Sequence, residues 1–256
     1  MRVTAITYAP VKGLGLVHVD EVELERAGIR ENRRFHLIDD DGRLINGKFA
    51  GTLVQVAAAA DHDGTSLSLR FPDGSVQDGP VTLGEAVETN FYGRPVAGHV
   101  VNGAFAESLS QHAGRSLRLV RVDAPGDGSD RGADGTISAV SRGSLEEFAR
   151  EAGEESVDGR RFRMLFEVDG LAPHGEDGWA GRQIAVGGAV LEGMIPTPRC
   201  VIPTLAHDEL PADPNILRTV AREHRVASAG RMACVGIYLK VVSPGRISLG
   251  DTVSLR

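Results

Sequence analysis

Thr197-Pro198-Arg199-Cys200-Val201-Ile202-Pro203-Thr204 sets one cysteine between two prolines, beside an arginine and just after an apolar run. Proline fixes its own φ and restricts the residue before it, so the thiol sits on a stiff backbone. Cys200 is therefore a candidate nucleophile, persulfide carrier or soft-metal ligand. The competing reading is a small buried hydrophobe, as free cysteines often are. Cys234 is the other cysteine in the chain. It lies too far along for a CxxC pair, and two cysteines make no disulfide framework.

Several cations have the spacing to meet an anion. Lys12 stands in the turn Pro10-Val11-Lys12-Gly13, where its ammonium and the turn amides can face one ligand. Arg34 precedes Phe35 at the start of a hairpin strand. Arg161 and Arg163 alternate at period two, which on a strand puts both on one face, able to grip a phosphate or pyrophosphate. The competing readings are an exposed loop lysine and a solvent-facing sheet surface. Gly42-Arg43-Leu44-Ile45-Asn46-Gly47-Lys48 fits the glycine-rich phosphate loop, but Phe49 follows where Ser or Thr should hold magnesium, and no helix follows. Gly13-Leu14-Gly15-Leu16-Val17-His18 lacks the last glycine of a dinucleotide fingerprint and the βαβ unit around it. His207-Asp208-Glu209 reads as a solvated turn, because adjacent side chains diverge. No HExxH or GxSxG motif is present.

The elements that must position these residues are mostly strands. Alternation and turn residues predict strands over Arg2–Tyr8, Arg34–Asp39, Thr52–Ala60, Ser66–Phe71, Arg94–Val101 and Ser116–Val122. Further strands are expected over Phe162–Val168, Gln183–Leu191, Cys234–Val242 and Thr252–Leu255. Asp41-Gly42 and Asp63-Gly64 mark hairpins. Three helices are expected. One runs over about Gly103–Ala113. One opens at Ser144 with Glu147 completing a capping box. One opens at Asp213-Pro214. Asp123–Gly135 holds no large apolar residue and reads as a mobile loop or linker. The fold class expected is mainly β (α+β), with a barrel-like architecture.

The chain has 256 residues, 41% of them hydrophobic, enough for a sizeable core. Its net charge of −7 argues against a general nucleic-acid or anionic-membrane binder. No secretory leader or membrane-spanning run is evident, so a soluble cytoplasmic protein is expected.

Taken in order, these segments resemble the MOSC family, named for the C-terminal domain of molybdenum-cofactor sulfurases. The likeness rests on Tyr8-Ala9-Pro10-Val11-Lys12-Gly13, Arg33-Arg34-Phe35-His36-Leu37-Ile38, Ser141-Arg142-Gly143-Ser144-Leu145, Arg161-Phe162-Arg163 and Pro198-Arg199-Cys200-Val201-Ile202-Pro203-Thr204. Val235-Gly236-Ile237-Tyr238 and Pro244-Gly245-Arg246-Ile247-Ser248-Leu249-Gly250-Asp251 complete it. The resemblance implies a MOSC N-terminal β-barrel-like domain over 1–101 and a MOSC domain over 102–256. It implies a molybdenum cofactor (molybdopterin), with Cys200 as metal ligand and catalytic centre. Lys12, Arg34 and Arg163 would hold the anionic pterin, and Arg161 and Arg199 are the adjacent candidate cations. Amidoxime-reducing members of the family carry a serine where this chain has Gly13, a serine where it has Pro198, and Pro-Asn where it has Met164-Leu165. No cysteine-rich ferredoxin domain or PLP-dependent desulfurase domain is seen in the chain. An external reductase or a cysteine desulfurase would then be the partner. Three functions stay open: an oxidoreductase acting on N-oxygenated small molecules, a sulfur carrier using a Cys200 persulfide, and a non-catalytic cofactor-binding protein.

Overall fold

The computed structural model describes residues 1–207 and 209–256; Asp208, the middle of the His207–Glu209 run, lies outside the described residues. The protein is mainly β. The larger sheet runs in the order Val253–Leu255, Gln183–Val186, Ala189–Pro198, Met232–Ser243, Ile137–Ser141, Phe166–Asp169, Arg2–Tyr8, Val17–His18. A second sheet runs Leu44–Ile45, Phe35–Ile38, Arg118–Val122, Arg94–Asn102, Thr82–Phe91. The two halves are interwoven. The first strand of the chain pairs antiparallel with Phe166–Asp169, and Arg118–Val122 lies between two strands of the earlier half.

Each sheet closes over its own core. One core joins Val3 and Ile6 of the first strand to Phe166, Val168, Ile237 and Leu239. The other joins Val11, Leu14 and Phe35 to Phe105 and Leu109 of α1 (Ala104–Ala113). α1 ends at Gly114 in the left-handed region, as the Gly stop predicts. α2 (Arg142–Ala152) crosses between Ile137–Ser141 and Phe166–Asp169, which pair parallel. A parallel pair requires such a crossover. α2 packs with α3 (Asn215–Glu223) through Leu145, Phe148, Ile216 and Val220. α3 begins at Asn215, one residue later than the expected proline start, with Pro214 as its N-cap; Asp213 Oδ1 accepts from the Asn215 amide at 2.9 Å.

Four local expectations need correction. α2 is capped by Ser141, whose Oγ accepts the Ser144 amide at 3.0 Å. Ser144 lies inside the helix, and its hydroxyl donates at 2.9 Å to Glu176, a carboxylate only 1% exposed. The Thr52–Ala60 segment begins as a 3-10 turn, Gly51–Gln55, that buries Leu53 and Val54; its strand starts only at Ala57. Gln183–Leu191 is a hairpin, turned at Gly187-Gly188 with Gly187 at φ +52°. The Arg161–Arg163 strand is absent: Gly159–Phe162 is a 3-10 turn, Arg163 is left-handed at φ 54°, and the strand starts at Phe166. Asp158 causes this, because its carboxylate accepts the Arg160 amide at 2.9 Å and nucleates a turn. The strands Val76–Pro80 and Thr82–Phe91 lie outside the segments expected as strands. Both are largely exposed, so they carry little hydrophobic alternation.

Candidate functional site

The Cys200 backbone is delivered by the strand Ala189–Pro198. Its ladder with Met232–Ser243 becomes irregular between Gly193 and Pro198, because proline donates no hydrogen bond. Pro198 still pairs with Cys234, and the Arg199 amide donates to the Ala233 carbonyl at 2.8 Å. The chain then leaves the sheet at Cys200 and tightens into the turn Ile202–Thr204. Cys200 is partly exposed on the wall of a cleft of about 800 Å³, counted to its open mouth. Cys234 is fully buried, and burial pushes its thiol up to about 11, so it is a packing residue.

Lys12 reaches the same cleft. The Lys12 amide donates to the Phe35 carbonyl at 2.7 Å, and the Phe35 amide donates to the Pro10 carbonyl at 3.0 Å. These bonds zip the Pro10–Gly13 turn onto the Arg33–Phe35 segment. Lys12 is 5% exposed. Its ammonium donates to the Gly128 carbonyl at 3.0 Å and to the Asp130 carboxylate, and it lies 5.0 Å from the Phe91 ring centroid. Burial pulls it from 10.5 down to about 8, with Asp130 opposing that pull. Burial, and then the Lys12 charge, hold the nearby His36 down at about 3, so this imidazole is neutral.

The expected cations divide. Lys12, Arg163 and Arg199 line the cleft with Cys200. Arg163 donates to the Leu14 carbonyl. Arg199 lies 5.5 Å from the Phe162 ring centroid and donates to the Phe162 carbonyl. Arg34 and Arg161 are outside the lining. Arg34 turns away and donates to the Val122 carbonyl at 2.8 Å. Arg161 is held by the carbonyls of Pro203, Leu205 and Pro211 at 3.4, 3.3 and 2.9 Å. The residue that takes the place expected of Arg34 is its neighbour Arg33. Arg33 adopts φ 53°, which rotates its side chain into the cleft, and its amide donates to the Ala9 carbonyl at 2.6 Å.

Lys48 and Asp130, which no motif in the sequence marks for the site, also lie in the lining. Lys48 belongs to the discarded phosphate-loop lookalike. Asn46 Oδ1 accepts its amide at 3.0 Å in a tight turn, and the ammonium stands 5.0 Å from the Tyr92 ring centroid at the cleft mouth. Asp130 comes from the Asp123–Gly135 segment, expected as a loose loop. That segment is tied down: Arg94 donates to the Asp127 and Ser129 carbonyls at 2.6 and 2.7 Å, and Ser129 is buried. Among the described lining residues, Asp130 is the one acid facing Lys12, Arg33, Lys48, Arg163 and Arg199.

Gly13 has a physical reason. Its φ is +89°, and a Cβ there would meet the Asn46 Cα and Cβ at 3.1 Å, so a serine would be strained and crowded. Among the described residues, no group of three His, Cys, Asp or Glu side chains is placed to hold a metal. His207 is engaged with the Ile202 carbonyl at 2.9 Å. No described helix is long and apolar enough to cross a membrane.

Residues 111–254 match the MOSC domain, and residues 1–111 match the MOSC N-terminal beta barrel domain. The chain belongs to the MOSC family. Solved structures that resemble this MOSC protein include the YuaD protein from Bacillus subtilis, at 13% identity over 98% of this chain and 93% of that one, with a TM-score of 0.47. YiiM from Geobacillus stearothermophilus is 18% identical over 49% of this chain and 56% of its own, with a TM-score of 0.36. YiiM from Escherichia coli is 18% identical over 53% and 58%, with a TM-score of 0.33. No curated protein matches the sequence at a significant level.

Proposed function

We propose that this MOSC protein holds a molybdenum cofactor in the Cys200 cleft and works as an oxidoreductase on N-oxygenated small molecules, with electrons from a separate reductase. The observation that carries the reading is the convergence of one partly exposed thiol with Lys12, Arg33, Lys48, Arg163 and Arg199 in a single cleft. The donor set fits such a group. A thiolate is a soft anionic ligand. A single thiolate suits a metal that arrives already chelated, because no further protein ligands are grouped beside it among the described residues. The cations suit the phosphate and pterin of that chelate. Thr197 Oγ1 and Arg199 Nε are buried in the lining without a hydrogen-bond partner among the described residues, and buried polar atoms of that kind call for one.

Cys200 would anchor the metal, Lys12, Arg33 and Arg163 would bind the cofactor's anionic end, and Lys48 with Tyr92 would border the entrance. When bound, the cofactor supplies two-electron oxygen-atom chemistry. The protein's share is to orient it, neutralise it and limit water on the buried side, where Lys12 is 5% exposed.

Metal and pterin analysis of protein purified from a molybdenum-replete host tests the reading. Near-stoichiometric molybdenum in the wild type, lost in Cys200→Ala, is expected. Wild-type protein with only traces of molybdenum contradicts it. The partial exposure of Cys200 also supports a second reading, a persulfide carrier, since a partner's active site can reach the thiol. Incubation with a cysteine desulfurase and intact mass separates the two. A gain of one sulfur atom that Cys200→Ala abolishes supports the carrier; an unchanged mass removes it.

A further inference from the structure

Asp130 stands among the cations of the cleft as an anionic ligand would. Its carboxylate is bonded to Lys12 Nζ. Burial raises its pKa, but Lys12, Arg33 and Lys48 outweigh that and keep it below the usual carboxylate range. Its side chain is 44% exposed, against 6% for Lys12. The ammonium is sealed behind the carboxylate, and the carboxylate faces the open cleft.

The backbone that presents Asp130 is a fitted seat. A Cβ at Gly126 would lie 2.5 Å from the Ala27 carbonyl oxygen, and one at Gly128 would lie 1.9 Å from that of Arg33. Only glycine permits so close an approach. Lys12 bonds the Gly128 carbonyl as well, and Ser129 Oγ donates to the Gly132 carbonyl at 3.0 Å. The glycines of this segment therefore serve to bring one carboxylate against Lys12 and Arg33.

We propose that Asp130 is the charge gate of this cleft, an internal counter-ion of Lys12 that only a multiply charged phosphate or pyrophosphate group displaces. The inference rests on the reading of the cleft as a site for a phosphorylated ligand. A monoanion entering beside Asp130 exchanges one carboxylate-like partner for another and gains little. A phosphate dianion or pyrophosphate brings more charge to the same cations and offsets the lost ion pair. Asp130 thus sets the charge of ligand the cleft accepts and occupies the cradle before the ligand arrives.

Calorimetric titration of the full-length chain with inorganic pyrophosphate and with acetate tests this, using wild type, Asp130→Asn, Asp130→Ala and Asp127→Asn. Asp127 lies in the same segment but outside the cleft lining, so its variant reports any general effect of removing a charge. Thermal melts confirm that each variant folds. Removal of the Asp130 charge is expected to tighten pyrophosphate binding by about tenfold or more and to make acetate binding measurable. Asp127→Asn is expected to match the wild type. Equal affinity of wild type and both Asp130 variants, or an equal gain in Asp127→Asn, overturns the gate while leaving the anion site standing. Absence of pyrophosphate binding in every variant overturns both.

Discussion

Lys12 makes the pH dependence of stability a direct probe of the cleft. Lys12 is 5% exposed, and burial lowers its pKa from 10.5 to about 8, against the pull of Asp130. Below about pH 8 the folded and unfolded chains both carry this proton, and the burial penalty on the charged form is felt in full. Between about 8 and 10.5 the folded state has lost the proton and the unfolded state keeps it. The unfolded state then binds more protons, so this residue's contribution to stability rises with pH. At about 1.4 kcal/mol per pH unit, the gap from 10.5 to about 8 is worth about 3 kcal/mol across that window. The stabilisation is complete above 10.5 and is lost as pH falls through about 8. Urea unfolding of wild type and Lys12→Met at a series of pH values isolates it, because other lysines and tyrosines titrate alike in both. The wild-type minus variant difference is expected to rise through this window. Parallel curves for the two proteins from neutral pH to 10.5 would refute the account of a desolvated Lys12.

The other predictions concern single residues. Arg33→Met is expected to weaken pyrophosphate binding by about tenfold, whereas Arg34→Met leaves it within about twofold, read by calorimetry on folded protein. Gly13→Ser is expected to destabilise the fold by about 1–3 kcal/mol, read by chemical denaturation, because it forces a side chain at φ +89° against Asn46. Glu176→Ala is expected to cost about 2–4 kcal/mol, since it strips the Ser141 amide and the Ser144 hydroxyl of a buried acceptor; a loss below about 1 kcal/mol contradicts that role.

Much of the architecture was legible where one face of an element is buried. Arg2–Tyr8 carries Val3 and Ile6 into the core and was read to the residue. α1 carries a plain glycine stop at Gly114, and the Asp213-Pro214 pair marks the start of α3 to within a residue. Thr82–Phe91 was hidden because only Thr89 and Phe91 along it are buried, so the period-two signal is missing. In the site, Lys12, Arg163, Arg199 and Cys200 were readable from their segments. Arg33 and Arg34 are adjacent, and only the left-handed backbone at Arg33 decides which one enters the cleft. Lys48 sits in a segment that fails the phosphate-loop pattern, which needs a helix, whereas here a turn at Asn46 aims the ammonium. Asp130 sits in a segment without large apolar residues, and its contact with Lys12 spans most of the earlier half. One signal was available: glycines spaced as Gly126 and Gly128 mark close backbone approach as readily as flexibility.

The most direct measurement of the central claim is the molybdenum K-edge absorption spectrum of the purified full-length protein, compared with Cys200→Ser. One fewer sulfur scatterer per bound molybdenum in the variant than in the wild type is the predicted result. Identical sulfur coordination in the two proteins would contradict Cys200 as the metal's ligand.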